Sequence, residues 1–468
     1  MVLKHYGRRE IVTESALLPD SLSQEEIRRN IFRMIWPATT ESVLQMLVGL
    51  AATAMVGRIG AQAVGAVGLS NRVTQIVWAI FSAIGTGATV MIARATGAND
   101  REAAKKTAEK ALFLALGLVC VLTFLVVWQS KWLMVTLFGA KGSILEMSYG
   151  YLSLVAWGIP FMAIMQVSGA IMRGSGNTKP PMTIALIVNI INVFGNYSLI
   201  YGKMGFPALG IRGAAISAIV AQSIGAALAL VALGKTISGF SIFARSKYSS
   251  GNNEVRKILG IGIPSAFESI FWQAATIVIM RIIVQFGTAE LAAHQLGLTA
   301  ESLSYMPSFA FGIATTTFVS QSLGACRPER AERYVKEILR FSILLTAVTA
   351  SILFFFPKIL MGVLTTDIVV INLGAKYLML MAVAQIPMQV AGVLNGALRG
   401  AGDTKAPMII GGTGLWLIRL PLTYALGVYF GLGIMGVWIA MTIDLFIRFC
   451  LTYYRYYKGK WKNIIITA

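Results

Sequence analysis

A chain of 468 residues that is 56% hydrophobic and only 13% charged, with a mean hydropathy of +0.71, cannot cover a soluble fold with polar surface. Apolar area facing water is costly in proportion to its size, so the excess must face lipid. The net charge of +20 would suit a nucleic-acid binder, but the basic residues lie between apolar runs rather than on one soluble face, which excludes that partner.

The first 30 residues are polar, and Ser23 with Glu26 ahead of IRRNIF makes a capping box. This predicts a short amphipathic helix on the cytoplasmic face. The segment lacks the compact apolar core and small-residue cleavage site of a signal peptide. Apolar runs then recur along the chain, each long enough to cross a hydrocarbon core of roughly 30 Å as a helix. Twelve are read, starting near Met34, Val73, Ala111, Tyr151, Met182, Gly210, Leu259, Leu296, Phe341, Tyr377, Met408 and Leu432. The runs are unbroken and rich in Leu, Ile, Ala and Gly, without the alternating polarity of barrel strands.

With the N-terminus placed in the cytoplasm, about 30 of the 40 Lys and Arg fall on the cytoplasmic side. They include Arg28, Arg29, Lys105, Lys106, Arg245, Arg256, Arg330, Arg333, Lys458 and Lys460. The positive-inside rule therefore puts both termini in the cytoplasm. Cys120, Cys326 and Cys450 are isolated, with neither a metal spacing nor a disulfide framework.

The chain also repeats itself. IWPATTESVLQ, with Pro37 and Glu41, returns as GIPSAFESIFWQ, with Pro264 and Glu268, at an offset of 227 residues. Gly60 meets Gly287, Gly97 meets Gly324 and Pro160 meets Pro387 at the same offset; MRGSGNTKPPM, with Arg173, returns as LRGAGDTKAPM, with Arg399, at 226. Six spans per half is an even number, so both halves enter from the same side and must be related by an axis along the membrane normal. The expected architecture is all-α and polytopic: twelve transmembrane helices in two six-helix lobes under a pseudo-two-fold. Its parts are a cytoplasmic N-terminal segment (1–33), an N-lobe (34–236), a cytoplasmic linker (237–255), a C-lobe (256–455) and a cytoplasmic tail (456–468). Two similar bundles leave between them a cleft that rocking can expose to each side in turn.

Within the spans acids are scarce, and a charge there is costly unless it meets an aqueous cavity or a partner. Glu41 and Glu268 each sit one turn after a proline, which removes a backbone donor and can bend a helix. A carboxylate at such a break can bind a proton or cation or attract a cationic substrate; it can equally cap freed backbone groups. Gln45 and Trp272, one turn further on, join them as candidates for substrate or ion coupling. Asp444 lies four residues before Arg448 and within reach of Arg419, as an ion pair locking helices 11 and 12 or as a coupling site. Asn192 and Asn196 share a face of helix 5, needing either neighbouring helices or a bound ligand as partners. His294 reads as a satisfied polar residue or a proton relay. Met162, Met165, Trp157, Trp272, Tyr305, Met306 and Met388 suit a pocket for apolar cations, or simple packing.

GAGD at Gly400–Asp403 matches an intramembrane aspartyl protease element, but the chain has no Tyr-Asp pair, and Asn177 replaces the aspartate in the other copy. It reads as a turn in basic loops beside Arg173 and Arg399. HExxH, GxSxG and P-loop patterns are missing, so no enzyme, metal or cofactor is expected and an ion gradient must supply the energy.

The two-copy PxxxE, VGRIG and RG-x-G-[ND]-TK-x-P pattern resembles the multidrug and toxin extrusion (MATE) family of the MOP superfamily over essentially the whole chain. The resemblance implies export of cationic amphipathic drugs or metabolites in exchange for H+ or Na+, by a monomer in a bacterial inner membrane. It also implies an aspartate in helix 1 where this chain has Ala52, and matches Asn192 and Asn196 to positions lining the N-lobe cation site. The C-lobe acids of the sodium-coupled branch fall on Trp272 and Met388, leaving Glu268 as the available C-lobe acid. A lipid-linked precursor flippase of the same superfamily is the alternative; it would prefer about fourteen spans and a cationic cavity.

Overall fold

The computed structural model describes residues 22–139, 141–237 and 253–464. Twelve long helices carry the fold, and there is no strand among the described residues. They are α1 (Gln24–Gly57), α2 (Ala61–Gly97), α3 (Arg101–Phe138), α4 (Gly142–Gly174), α5 (Lys179–Tyr201), α6 (Ile211–Thr236), α7 (Asn253–Val284), α8 (Thr288–Gly324), α9 (Pro328–Phe355), α10 (Ile368–Ala401), α11 (Lys405–Tyr429) and α12 (Gly433–Tyr457). A short helix, Pro357–Leu364, precedes α10. Eleven of the twelve are long and apolar enough to cross a membrane. The exception is α8, whose hydropathy is lowered by Glu290, His294, Gln295 and Glu301. Phe113, Phe124, Trp128, Phe194, Leu344 and Val348 remain exposed, as expected of side chains that face lipid.

Most helices start earlier than their apolar runs. α3 begins at Arg101 rather than near Ala111, and α9 at Pro328 rather than near Phe341. Hydropathy registers only the part of a helix that needs lipid, whereas the amphipathic ends continue into the interface. The capping box at Ser23 forms as read, with the Glu26 carboxylate accepting from the Ser23 N–H at 2.7 Å. The helix it starts is not short: it runs through Pro37 into the first span, so the expected separate segment 1–33 has no boundary at its end. The expected linker lies mostly outside the described residues, and α7 already begins at Asn253. In the expected tail, Trp461 is buried beside Tyr456 in a short turn.

The repeat becomes contacts. On the side carrying the described chain ends, called here the terminal face, α2 and α8 touch backbone to backbone. A Cβ on Gly97 would overlap the Gln321 carbonyl, and one on Gly324 would overlap the Arg94 carbonyl. Gly97 and Gly324 are repeat mates, as are Arg94 and Gln321, so this is the self-complementary contact of a two-fold axis. Thr89 donates to the Ala170 carbonyl at 2.9 Å, and its mate Thr316 to the Gly396 carbonyl at 2.9 Å. The axis passes between α2 and α8 and runs along the helices.

Helices α1 and α7 each change halves. Near the terminal face, Ile27, Ile31, Met34 and Ile35 of α1 pack with Ala310, Ala314, Ile338 and Leu394 of the second half. Further along, Met55 and Val56 pack with Ala63, Tyr151 and Ile200 of the first. α7 mirrors this: Ile258 joins the first-half core, while Ile279 and Ile283 join the second. Pro37 and Pro264 sit near the changeover, where a missing backbone donor makes bending cheapest.

The terminal face is closed. Gln321 Nε2 donates to the Gly174 carbonyl at 3.2 Å and Arg94 Nη2 to the Ala401 carbonyl at 3.0 Å. Lys106 and Glu254 add an ion pair between halves at 2.8 Å. Substituting Gly97 by Val should force α2 and α8 apart at this face. With Thr317, now fully buried, changed to Cys as a reporter, its maleimide labelling rate should rise about tenfold or more, read by site-resolved mass spectrometry. An unchanged rate would show that the glycine contact does not hold the face shut.

Candidate functional site

Each half builds one carboxylate–guanidinium pair at its proline break. Glu41 of α1 meets Arg173 Nη1 at 3.4 Å, and Glu268 of α7 meets Arg399 Nη2 through both oxygens at 2.7 Å. Arg173 and Arg399 therefore do not lie in loops, as their basic motifs suggested. They occupy the last turns of α4 and α10, and the glycine turns lie just beyond them. The reason is local: Gly176 and Gly402 adopt positive φ (87° and 92°), so the helix can stop immediately after the arginine. The GAGD aspartate is part of that turn and pairs with Arg455 at 2.8 Å.

Glu41 and Gln45 open into a pocket of ≈ 180 Å³ inside the first half, lined also by Trp78, Met162, Met165 and Arg173. Aromatic and thioether groups around one carboxylate suit an amphipathic cation. A second, apolar cavity of ≈ 510 Å³ lies between α1 and α5, lined by Val48, Met55, Asn189 and Phe194. Helical spacing puts Ala52 on the Val48–Met55 face of α1. Asn196 Nδ2 donates to Asn192 Oδ1 at 2.9 Å and Ser217 of α6 donates to the Asn192 backbone carbonyl at 3.0 Å, while Asn196 Oδ1 is buried without a partner. The structure thus brings Glu41 and Gln45 together at one pocket, while Asn192 and Asn196 lie one and two turns beyond Val188, the last α5 residue in its lining.

The second half differs at the crossing of its last two helices. Asp444 of α12 is fully buried and accepts from Arg419 Nε at 2.8 Å and Arg448 Nη2 at 2.7 Å, both through Oδ2. Arg419 reaches it because α11 widens into π-helical turns at Gly414–Arg419 and Thr423–Tyr429, a local change of pitch that re-aims side chains. Gly414 is required there, since a Cβ would stand 2.5 Å from both Asp444 Oδ1 and Arg448 Cδ. Both arginines use the same carboxylate, so the lock between helices 11 and 12 is a triad. Trp272, one turn beyond Glu268, is half exposed and outside these contacts.

The acid the sequence reading passed over is Glu301 of α8. It is 4% exposed, its Oε1 accepts from Gln385 Nε2 at 2.8 Å, and its Oε2 accepts from the Tyr377 hydroxyl. Arg419 is the cation within Coulombic reach. Behind it, the Tyr377 ring packs edge-on between His294 and Trp438, and His294 Nδ1 accepts from Trp438 Nε1 at 3.2 Å, so the histidine is a satisfied core residue. The missed signal was an acid in a span with no basic residue within a turn. Attention to proline-linked carboxylates hid it.

The MatE family model matches twice, at residues 37–198 and 264–425, one copy per half. A probable multidrug resistance protein NorM from Thermotoga maritima is 33% identical over 451 residues, covering 94% of this chain and 95% of that protein. An uncharacterized transporter, YisQ, from Bacillus subtilis is 26% identical over 437 residues, covering 92% and 94%. Among solved structures, a MOP superfamily transporter from Pyrococcus furiosus shares the fold with a TM-score of 0.87 at 20% identity, covering 94% of this chain and 97% of that one. A Vibrio cholerae MATE transporter variant gives 0.87 at 20% identity, covering 93% and 97%. With the duplicated half, the twelve helices and these likenesses in agreement, the chain belongs to the MatE family.

Proposed function

We propose that the chain is a secondary antiporter that exports cationic amphipathic compounds in exchange for protons, by alternating access between its halves. The observation that carries this reading is Glu301, a carboxyl buried in the second half with one neutral donor on each oxygen. An ionised carboxylate so far from water needs a counter-charge, and Arg419 supplies it only at a distance. Both oxygens already have donors, so the site lacks the several free oxygens a sodium ion would require. A proton is the exchangeable species it suits. Exchange of one proton for a monovalent cation moves no net charge, so the pH gradient drives it, at about 1.4 kcal/mol per pH unit.

The cation is assigned to the pocket in the first half. Glu268 is engaged by Arg399 at 2.7 Å through both oxygens, whereas Glu41 and Arg173 stand 3.4 Å apart, leaving Glu41 freer to meet a ligand beside Trp78 and Met165. The basic loops support cytoplasmic termini. With that orientation the closed terminal face is the cytoplasmic gate, and the substrate would leave to the outside. A monomer in a bacterial inner membrane suffices, since both halves are on one chain.

In sealed proteoliposomes, Glu301→Gln should cut proton movement driven by tetraphenylphosphonium at least tenfold, while binding of that cation stays within twofold. Undiminished proton movement in the variant would refute the coupling role. Glu41→Gln should weaken tetraphenylphosphonium binding about tenfold by equilibrium dialysis; an unchanged affinity would move the cation site elsewhere.

A further inference from the structure

The ionic crossing of the last two helices in the second half has an uncharged counterpart in the first. Aligned on GIRG at Gly210 and GIMG at Gly433, Arg448 falls at the place of Gly225. There a Cβ would meet only Val188 and Met165 side chains, whereas Arg448 packs over Gly414. Glu268 pairs with Arg399, while Asp444 accepts from both Arg419 and Arg448, so one positive charge is in excess whenever Glu301, the other carboxyl within reach of Arg419, is protonated. Arg448 is also within Coulombic reach of Glu268, so the two groups form one cluster of three guanidiniums and two carboxylates with Glu301 at its edge.

The cluster is open to a ligand. The Arg448 and Arg399 side chains are 19% and 31% exposed, while Asp444 is sealed beneath them. The Nε atoms of Arg448 and Arg399 are buried and have no hydrogen-bond partner. A buried guanidinium donor without an acceptor carries a desolvation cost that an oxyanion would relieve. Guanidinium is suited to planar carboxylate or tetrahedral phosphate, which its donors meet in pairs.

We propose that Arg399, Arg419 and Arg448 form an anion subsite in the second half, which binds the carboxylate or phosphate group of an amphipathic ligand. The subsite lets the transporter hold zwitterionic compounds, with the anionic end here, and it lies in the other half from the Glu41 pocket. The same oxyanion chemistry could reach it on a soluble compound or on a lipid headgroup.

Rhodamine 110 and rhodamine 123 differ only in a carboxylate against its methyl ester, so fluorescence anisotropy with the purified transporter in phosphatidylcholine nanodiscs isolates that group. The acid should bind about 10- to 100-fold tighter than the ester, the worth of a charge-assisted hydrogen-bond pair. Arg448→Gln leaves Arg419 and Asp444 as a neutral pair and should erase the preference by weakening the acid alone. Gly414→Ala, which displaces Arg448 without removing charge, should reduce it too. Equal binding of the two dyes by the unaltered protein, or a preference unchanged in both variants, would overturn the proposal. Suppression of the preference by phosphatidylglycerol in the nanodiscs would assign the site to lipid phosphate; persistence would assign it to soluble ligands. The readout is binding, so a failure of proton coupling would leave it untouched.

Discussion

The fold depends on two helices being able to touch without side chains between them. At the terminal face α2 and α8 approach until the Cβ of any residue other than glycine at 97 or 324 would overlap a carbonyl across the axis. Such a contact is short-ranged and all-or-none, because packed interiors are close to crystal density and yield little to gradual deformation. It gives the two halves a defined closed arrangement. Around it, the polar bonds from Arg94 and Gln321 end on backbone carbonyls, which stay in place whatever the side chains do. α1 and α7 each pack against both halves, and Pro37 and Pro264 sit near the changeover.

The second constraint is the cost of charge in a medium that cannot solvate it. The structure handles it differently in its two halves. In the first, one carboxylate and one guanidinium face a small pocket of methionine and tryptophan. In the second, the corresponding pair is joined by a triad around Asp444 and by the isolated Glu301. The duplicated scaffold thus holds two chemically unlike sites at equivalent depths.

Much of this was legible in the sequence. The repeated PxxxE, glycine and RG-x-G motifs gave the offset that the paired contacts obey, since glycine and proline positions report backbone requirements directly. Glu41, Glu268 and Asp444 stood out because charged residues in apolar runs are rare. What escaped was three-dimensional. Arg173 and Arg399 looked like loop residues because their motif ends in turns, although the helix persists through the arginine. Glu301 lies on α8, the one of the twelve helices that falls short of a membrane span by composition, and no neighbour in sequence announces Tyr377 or Gln385. The widening of α11 that brings Arg419 to Asp444 has no sequence signature beyond a run of glycines.

The most direct test of the account is the distance between the halves at the face they close. Asn99 and Cys326 are repeat mates just past α2 and α8, exposed and both at φ 57°. Spin labels at Asn99→Cys and the native Cys326, with Cys120 and Cys450 replaced by Ala, can be read by pulsed dipolar spectroscopy in nanodiscs. The account predicts two distance populations, the shorter matching the closed face, with their balance moved by pH and by added tetraphenylphosphonium. A single distance that responds to neither would contradict it.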